Sequence, residues 1–105
     1  MKQIYPTFIA EYNGDFLAYV PDIDIYTERK SIADAIGMAR DAIGLKGIDY
    51  EDDGKELPIP SNADMAMEKA KEDTEIFDYS TGILTFADID FSEYRKRMDN
   101  KTVTR

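Results

Sequence analysis

An Asn13-Gly14 pair set between two alternating apolar runs constrains this chain more than any other feature. A type I′ hairpin turn needs positive φ at both central residues, and Asn-Gly meets that need with least strain. The flanking residues alternate in character and read as strands over 4–12 and 16–20. Along the first, Ile4, Pro6, Phe8 and Ala10 share one face; Tyr5, Thr7, Ile9 and Glu11 share the other. Pro6 has no N–H for a ladder, so an edge or a bulge is expected there. Pro21-Asp22 interrupts the second strand, and 24–27 makes a short third one. Ser31 then caps a helix, with Asp34 placed to reach back to it. Ile32, Ile36, Ala39 and Ile43 fall on one helical face, widened by Ala35 and Ala42. Gly44 and Gly47 predict where that helix stops. Residues 5–40 therefore form a β-β-β-α unit. It holds no histidine and no cysteine, and reads first as a binding surface.

The remainder is less regular. Residues 49–56, with five acids and one lysine, read as a loop. Leu57-Pro58-Ile59-Pro60 reads as an extended surface segment. Ser61 with Asp64 repeats the capping signature, and Ala63, Met67 and Ala70 mark a short helix ending near Asp73. Ile76-Phe77 suggests a short strand, with a turn at 80–82 and a longer strand over 83–91. Ser92 is the expected cap of a helix over 93–98, stopped at Asp99-Asn100, with an extended basic tail. The expected fold is α+β: a three-stranded antiparallel sheet, a packed helix and a further strand joining the sheet. Residues 1–98 form the domain and 99–105 the tail.

A chain of 105 residues is one small domain. Without cysteine there are no disulfides or thiolate metal sites, and without histidine the usual general base is missing. No apolar run approaches the ~20 residues of a membrane helix, and no signal-peptide pattern occurs; a cytoplasmic location is expected. The net charge of −9 is uneven. Residues 1–94 hold 21 acids and 8 bases; residues 95–105 hold five bases and one acid. Such a body repels phosphates and attracts a basic partner, although an acidic surface also serves solubility.

Two Asp-Ile-Asp triplets stand out. Strand neighbours two apart share a face, so Asp22/Asp24 and Asp88/Asp90 each aim two carboxylates one way. Such pairs suit Mg²⁺ and phosphodiester cleavage, or simply face water at strand ends. Arg95, Lys96, Arg97 and Lys101 are candidates for touching nucleic acid, or form an ordinary solvated helix end. The aromatics do not alternate with basic residues, which argues against a single-strand platform. No Gly-rich phosphate loop occurs, and no cofactor is expected.

The order of several short motifs resembles the HicB antitoxin family. The pieces are Tyr5-Pro6, Asn13-Gly14, Val20-Pro21-Asp22, Ser31 to Ala35 and Ala39-Arg40-Asp41-Ala42. Downstream, Leu57-Pro58-Ile59-Pro60-Ser61 is similar to the family's Pro-Ile-Pro-x-Pro-Ser, and Asp90-Phe91-Ser92-Glu93-Tyr94 to its Asp-Leu-Ser-Glu-Tyr ending. Two places depart from it. Ile23-Asp24-Ile25-Tyr26 stands where Leu-Pro-Gly-Cys is usual, and Arg29-Lys30-Ser31 replaces Gly-Asp-Thr. The resemblance implies a partial RNase H-like fold and a partner, the small basic mRNA-cleaving toxin HicA, whose site the antitoxin covers. Asp22, Asp24 and Glu28 are the expected partner contacts, and the loop acids Glu51, Asp52 and Asp53 are the second choice. A homodimer is also expected. The tail is similar to the lead-in of a C-terminal DNA-binding domain, so an autorepressor role would need that domain. A Mg²⁺-dependent nuclease is the other alternative.

Overall fold

The hairpin forms as its turn dictates, with φ of 53° at Asn13 and 80° at Gly14. A computed structural model describes residues 2–103, with side chains through Met98. Strand β1 (Lys2–Tyr12) turns into β2 (Asp15–Val20); a 3-10 turn (Pro21–Ile23) leads to β3 (Ile25–Arg29). Helices α1 (Ile32–Asp52) and α2 (Ala63–Glu72) follow, then a 3-10 turn (Tyr79–Thr81), β4 (Ile83–Asp90) and α3 (Phe91–Val103). The fold is α+β, with one antiparallel four-stranded sheet in the order β3-β2-β1-β4. No helix among the described residues is long and apolar enough to cross a membrane.

Alternation along the strands divides the core in two. Tyr5, Ile9, Ala18, Val20, Ile25, Ala87 and Ile89 point to one face and pack against Ala35, Ala39 and Ile43 of α1 and Tyr94 of α3. Phe8, Ala10 and Tyr19 point to the other, beneath Ala66 and Ala70 of α2 and Tyr79. Helices therefore lie on both sides, and the sheet is a middle layer. Pro6 sits in a central strand, contrary to the expected edge. The β1–β2 register begins only at Phe8, so Pro6 faces β4 alone, paired with Phe86. Locally it still has an unpaired side.

Several boundaries differ from the sequence reading. Helix α1 runs through Gly44 and Gly47 and takes in 49–52, which are helical rather than loop. A Cβ on Gly44 would lie 2.7 Å from the Tyr94 ring, and one on Gly47 would lie 2.2 Å from Phe91 Cε1. These glycines admit the aromatics of α3 against the α1 backbone. The true stop is Gly54 at φ 70°, where Lys55 N–H donates to Tyr50 O and Gly54 N–H to Glu51 O. That is the Schellman arrangement. Asn62, not Ser61, caps α2, accepting from Met65 N–H at 2.8 Å. Ile76-Phe77 makes no strand. Phe77 is held between the Tyr12 and Tyr79 rings instead, with centroids at 5.6 and 5.4 Å. Asp90, one position before β4 gives way to α3, accepts from Ser92 and Glu93 N–H, so it caps α3 in place of Ser92. Helix α3 continues past Asp99-Asn100 to Val103, where an extended tail was expected.

Candidate functional site

The site is best built from the Pro21 break, where the chain leaves β2. Pro21 fixes φ and starts a 3-10 turn, so Asp22 and Asp24 do not lie on a strand and do not share a face. Asp24 adopts φ 50°, a left-handed conformation that aspartate tolerates better than most residues, and its side chain is exposed. Asp22 turns inward. Its carboxylate is fully buried and accepts from Ser61 N–H at 2.7 Å, Ser61 Oγ at 2.6 Å and Lys69 Nζ at 2.6 Å. Lys69 Nζ also donates to Ser61 Oγ at 3.1 Å. Burial by itself would raise the Asp22 pKa. The bonds from Lys69 and Ser61 outweigh it and hold the carboxylate below its usual range. Asp22 thus fastens α2 to the end of β2.

A second tie closes the other end of α2. Asp73 follows its last turn, and one carboxylate oxygen accepts from Tyr19 Oη at 2.9 Å and Tyr26 Oη at 2.5 Å. The two phenols stack with centroids 5.0 Å apart, and Tyr79 stacks on Tyr19 at 4.8 Å. With Phe77 and Tyr12 the rings form a continuous aromatic run from α2 to the hairpin. The tyrosine bonds hold Asp73 below its usual range. In return Asp73, assisted by desolvation, pushes Tyr26 up to about 12. Burial, then Asp73, raises Tyr19.

A phenol raised in the folded state contributes stability that is complete below its unfolded pKa of 10.0 and disappears as pH rises through about 12. An absorbance titration should therefore show Tyr26 ionising near pH 12 together with loosening of the fold. Asp73→Asn should move that step toward pH 10. An unchanged titration curve in Asp73→Asn would refute the tie.

Strand β3 borders this aromatic run and ends the sheet. Glu28 on it is exposed and sits beside Asp15 across the β2–β3 ladder. A hydrogen bond with Asp15 and then the Asp15 charge raise the Glu28 pKa. Asp15 is lowered by the same bond and by Lys30, 2.5 Å away. Two grooves flank β3. One, of about 470 Å³, is lined by Tyr12, Tyr26, Glu28, Phe77 and Tyr79. The other, of about 620 Å³, is lined by Asp15, Thr27, Glu28, Lys30 and Met38.

No family model matches the sequence, and no curated protein matches it. A solved structure matches in shape. The fold is shared with a chain from the toxin-antitoxin complex of Streptococcus pneumoniae. The TM-score is 0.73 at 22% identity, over 90% of this chain and 73% of that one. At that identity the likeness is one of fold.

The remaining sequence candidates are dispersed. Glu51 and Asp52 lie on the last turn of α1, where their charge opposes the helix dipole. Arg95 of α3 offsets them at 2.8 and 2.9 Å. Asp53 is the C-cap of α1. Glu28 precedes the start of this 21-residue helix, so about 30 Å of helix axis separates the two acidic groups. Asp88 pairs with Arg40 at 3.2 Å and Lys2 at 3.9 Å, and Asp90 caps α3. Neither carboxylate pair is a ready metal site, and among the described residues no group of three or more acids could hold an ion. Lys96 lies 3.8 Å from Glu93, and Arg97 stacks over Tyr94 at 5.3 Å. The Lys101 side chain falls outside the described residues.

One feature escaped the sequence reading. Asp64, Glu68 and Glu72 are spaced i, i+4, i+8 and form an exposed acidic stripe on α2, opposite the buried Ala66 and Ala70. Exposed Glu75 and Asp78 continue it toward the aromatic run. The spacing was the available signal.

Proposed function

We propose that this chain is an antitoxin-like binding module of a type II toxin-antitoxin system, of the HicB kind, which masks a small basic mRNA-cleaving toxin of the HicA kind. The observation that carries this reading is the fold shared over 90% of the chain with a component of a toxin-antitoxin complex. The acidic stripe on α2, with Asp24 and Glu28, supplies the complementary field. Asp22 supports that surface from within rather than meeting the partner. The partial RNase H-like architecture belongs to the same reading, and so does a homodimer, with the β4 edge, unpaired among the described residues, and its exposed Ile83 and Phe86 as its place. A nuclease gains no support, because Asp22, Asp88 and Asp90 are engaged in ties and caps.

Association with the toxin should weaken as salt rises, and changing Asp64, Glu68 and Glu72 together to lysine should slow it about tenfold or more. Stopped-flow binding across ionic strength checks this. A rate indifferent both to salt and to the triple change would remove α2 from the interface.

A further inference from the structure

We infer that the outer edge of β3 receives an extended, alternating basic and apolar segment of the partner as a fifth strand, with a lysine or arginine side chain seated in the aromatic groove. This rests on the reading of the chain as a protein-binding module and deepens it.

Strand β3 has β2 on one side and no strand on the other among the described residues. The backbone groups it does not pair with β2 form a template for strand addition, and the Glu28 carbonyl already accepts from Arg29 Nη1 at 2.6 Å. Tyr26, Thr27 and Glu28 line both grooves, so the two grooves meet along this edge. In an added strand, successive side chains point to opposite faces, and each groove takes alternate residues.

The grooves differ in chemistry. On the α2 side, Tyr12 is 55% exposed and Tyr26 is 37% exposed, so aromatic rings stand open to solvent beside the Glu28 carboxylate. Ring faces attract cations, and a carboxylate at the rim completes a site for lysine or arginine. On the α1 side, Met38 and Thr27 share the groove lining with Asp15, Arg29 and Lys30; the two cations disfavour a second basic side chain there and leave that side to a small or apolar one.

A second copy of this chain suits the edge poorly. The whole chain carries a net charge of −9, so two copies repel one another. A basic segment meets the opposite condition.

The probe is a blocked octapeptide of alternating lysine and valine, titrated into the isotope-labelled chain. Amide shifts should centre on residues 25–29 and on Tyr12, Phe77 and Tyr79. An alternating glutamate and valine peptide should cause none. N-methylation of alternate peptide amides should weaken binding about tenfold or more, since it blocks the ladder. Tyr12→Leu keeps the apolar bulk but removes the ring face, and should weaken binding about tenfold. Shifts centred on β4 or α2, no shifts at millimolar peptide, or indifference to both N-methylation and Tyr12→Leu would overturn the inference. The toxin itself separates the two levels. Full neutralisation by Tyr12→Leu would leave the antitoxin reading standing and sink the β3 edge. Peptide docking on β3 without toxin binding would do the reverse.

Discussion

Asp22→Ala should cost roughly 2–4 kcal/mol of folding free energy, a large effect for one carboxylate. The side chain is fully buried and takes three donors from two separate parts of the chain. Its removal leaves Ser61 N–H and Lys69 Nζ without their acceptor in a partly closed site. Because Lys69 is 43% exposed, water recovers part of that loss, which keeps the figure below a wholly buried pair. Urea unfolding checks the magnitude. The pH dependence carries a sign of its own. A carboxylate whose pKa is lowered by folding contributes stability present above the unfolded value of 3.8 and lost as pH falls through the lower folded value. Asp22→Asn should therefore flatten the acid limb of the stability profile. A variant as stable as the parent, with an unchanged acid limb, would show that the network does not hold α2 in place.

Gly47→Ala and Gly37→Ala should move stability in opposite directions, although both put a better helix former into α1. At Gly37 an added Cβ meets nothing within 4 Å, and the change should stabilise by about 1 kcal/mol. At Gly47 the Cβ would lie 2.2 Å from Phe91 Cε1 and 2.5 Å from Cδ1. No rotamer of alanine avoids that overlap, so α3 must shift outward, at a net cost of about 1–3 kcal/mol. Phe91→Leu in the Gly47→Ala background should restore part of it. Thermal unfolding of the parent, Gly37→Ala, Gly47→Ala, Phe91→Leu and the Gly47→Ala/Phe91→Leu double variant gives both glycine effects and, by a double-mutant cycle, the coupling. Equal gains at both glycines would mean that α3 is not seated on α1 as described.

Those glycines show why some of the fold was legible in the sequence and some was not. The hairpin, the Ser31 cap and the apolar face of α1 follow from turn chemistry and periodicity, which act over a few residues. A glycine in a helical pattern signals either a stop or a close approach. Only the distant partners Phe91 and Tyr94 decide between them. The Asp22-Ile23-Asp24 triplet resembled a strand pair because Ile23 is apolar and buried; Pro21 and the left-handed Asp24 break that alternation. Tyr19 and Tyr26 were visible as aromatics at strand spacing. Their shared acceptor, Asp73, lies 54 and 47 residues away and has no local signature. The acidic stripe of α2 went unread, although Asp64, Glu68 and Glu72 recur every four residues, because the apolar positions alone were used to place that helix. The openness of β3 was not, because strand order depends on where β4 returns.

If this chain covers the working surface of a basic, mRNA-cleaving partner, as proposed, titrating it into that toxin during cleavage of a labelled mRNA will show it. Cleavage should fall linearly and cease at one chain per toxin, and Asp64, Glu68 and Glu72 changed together to lysine should need an excess to reach the same end point. Undiminished cleavage at several-fold excess of the folded chain would contradict it.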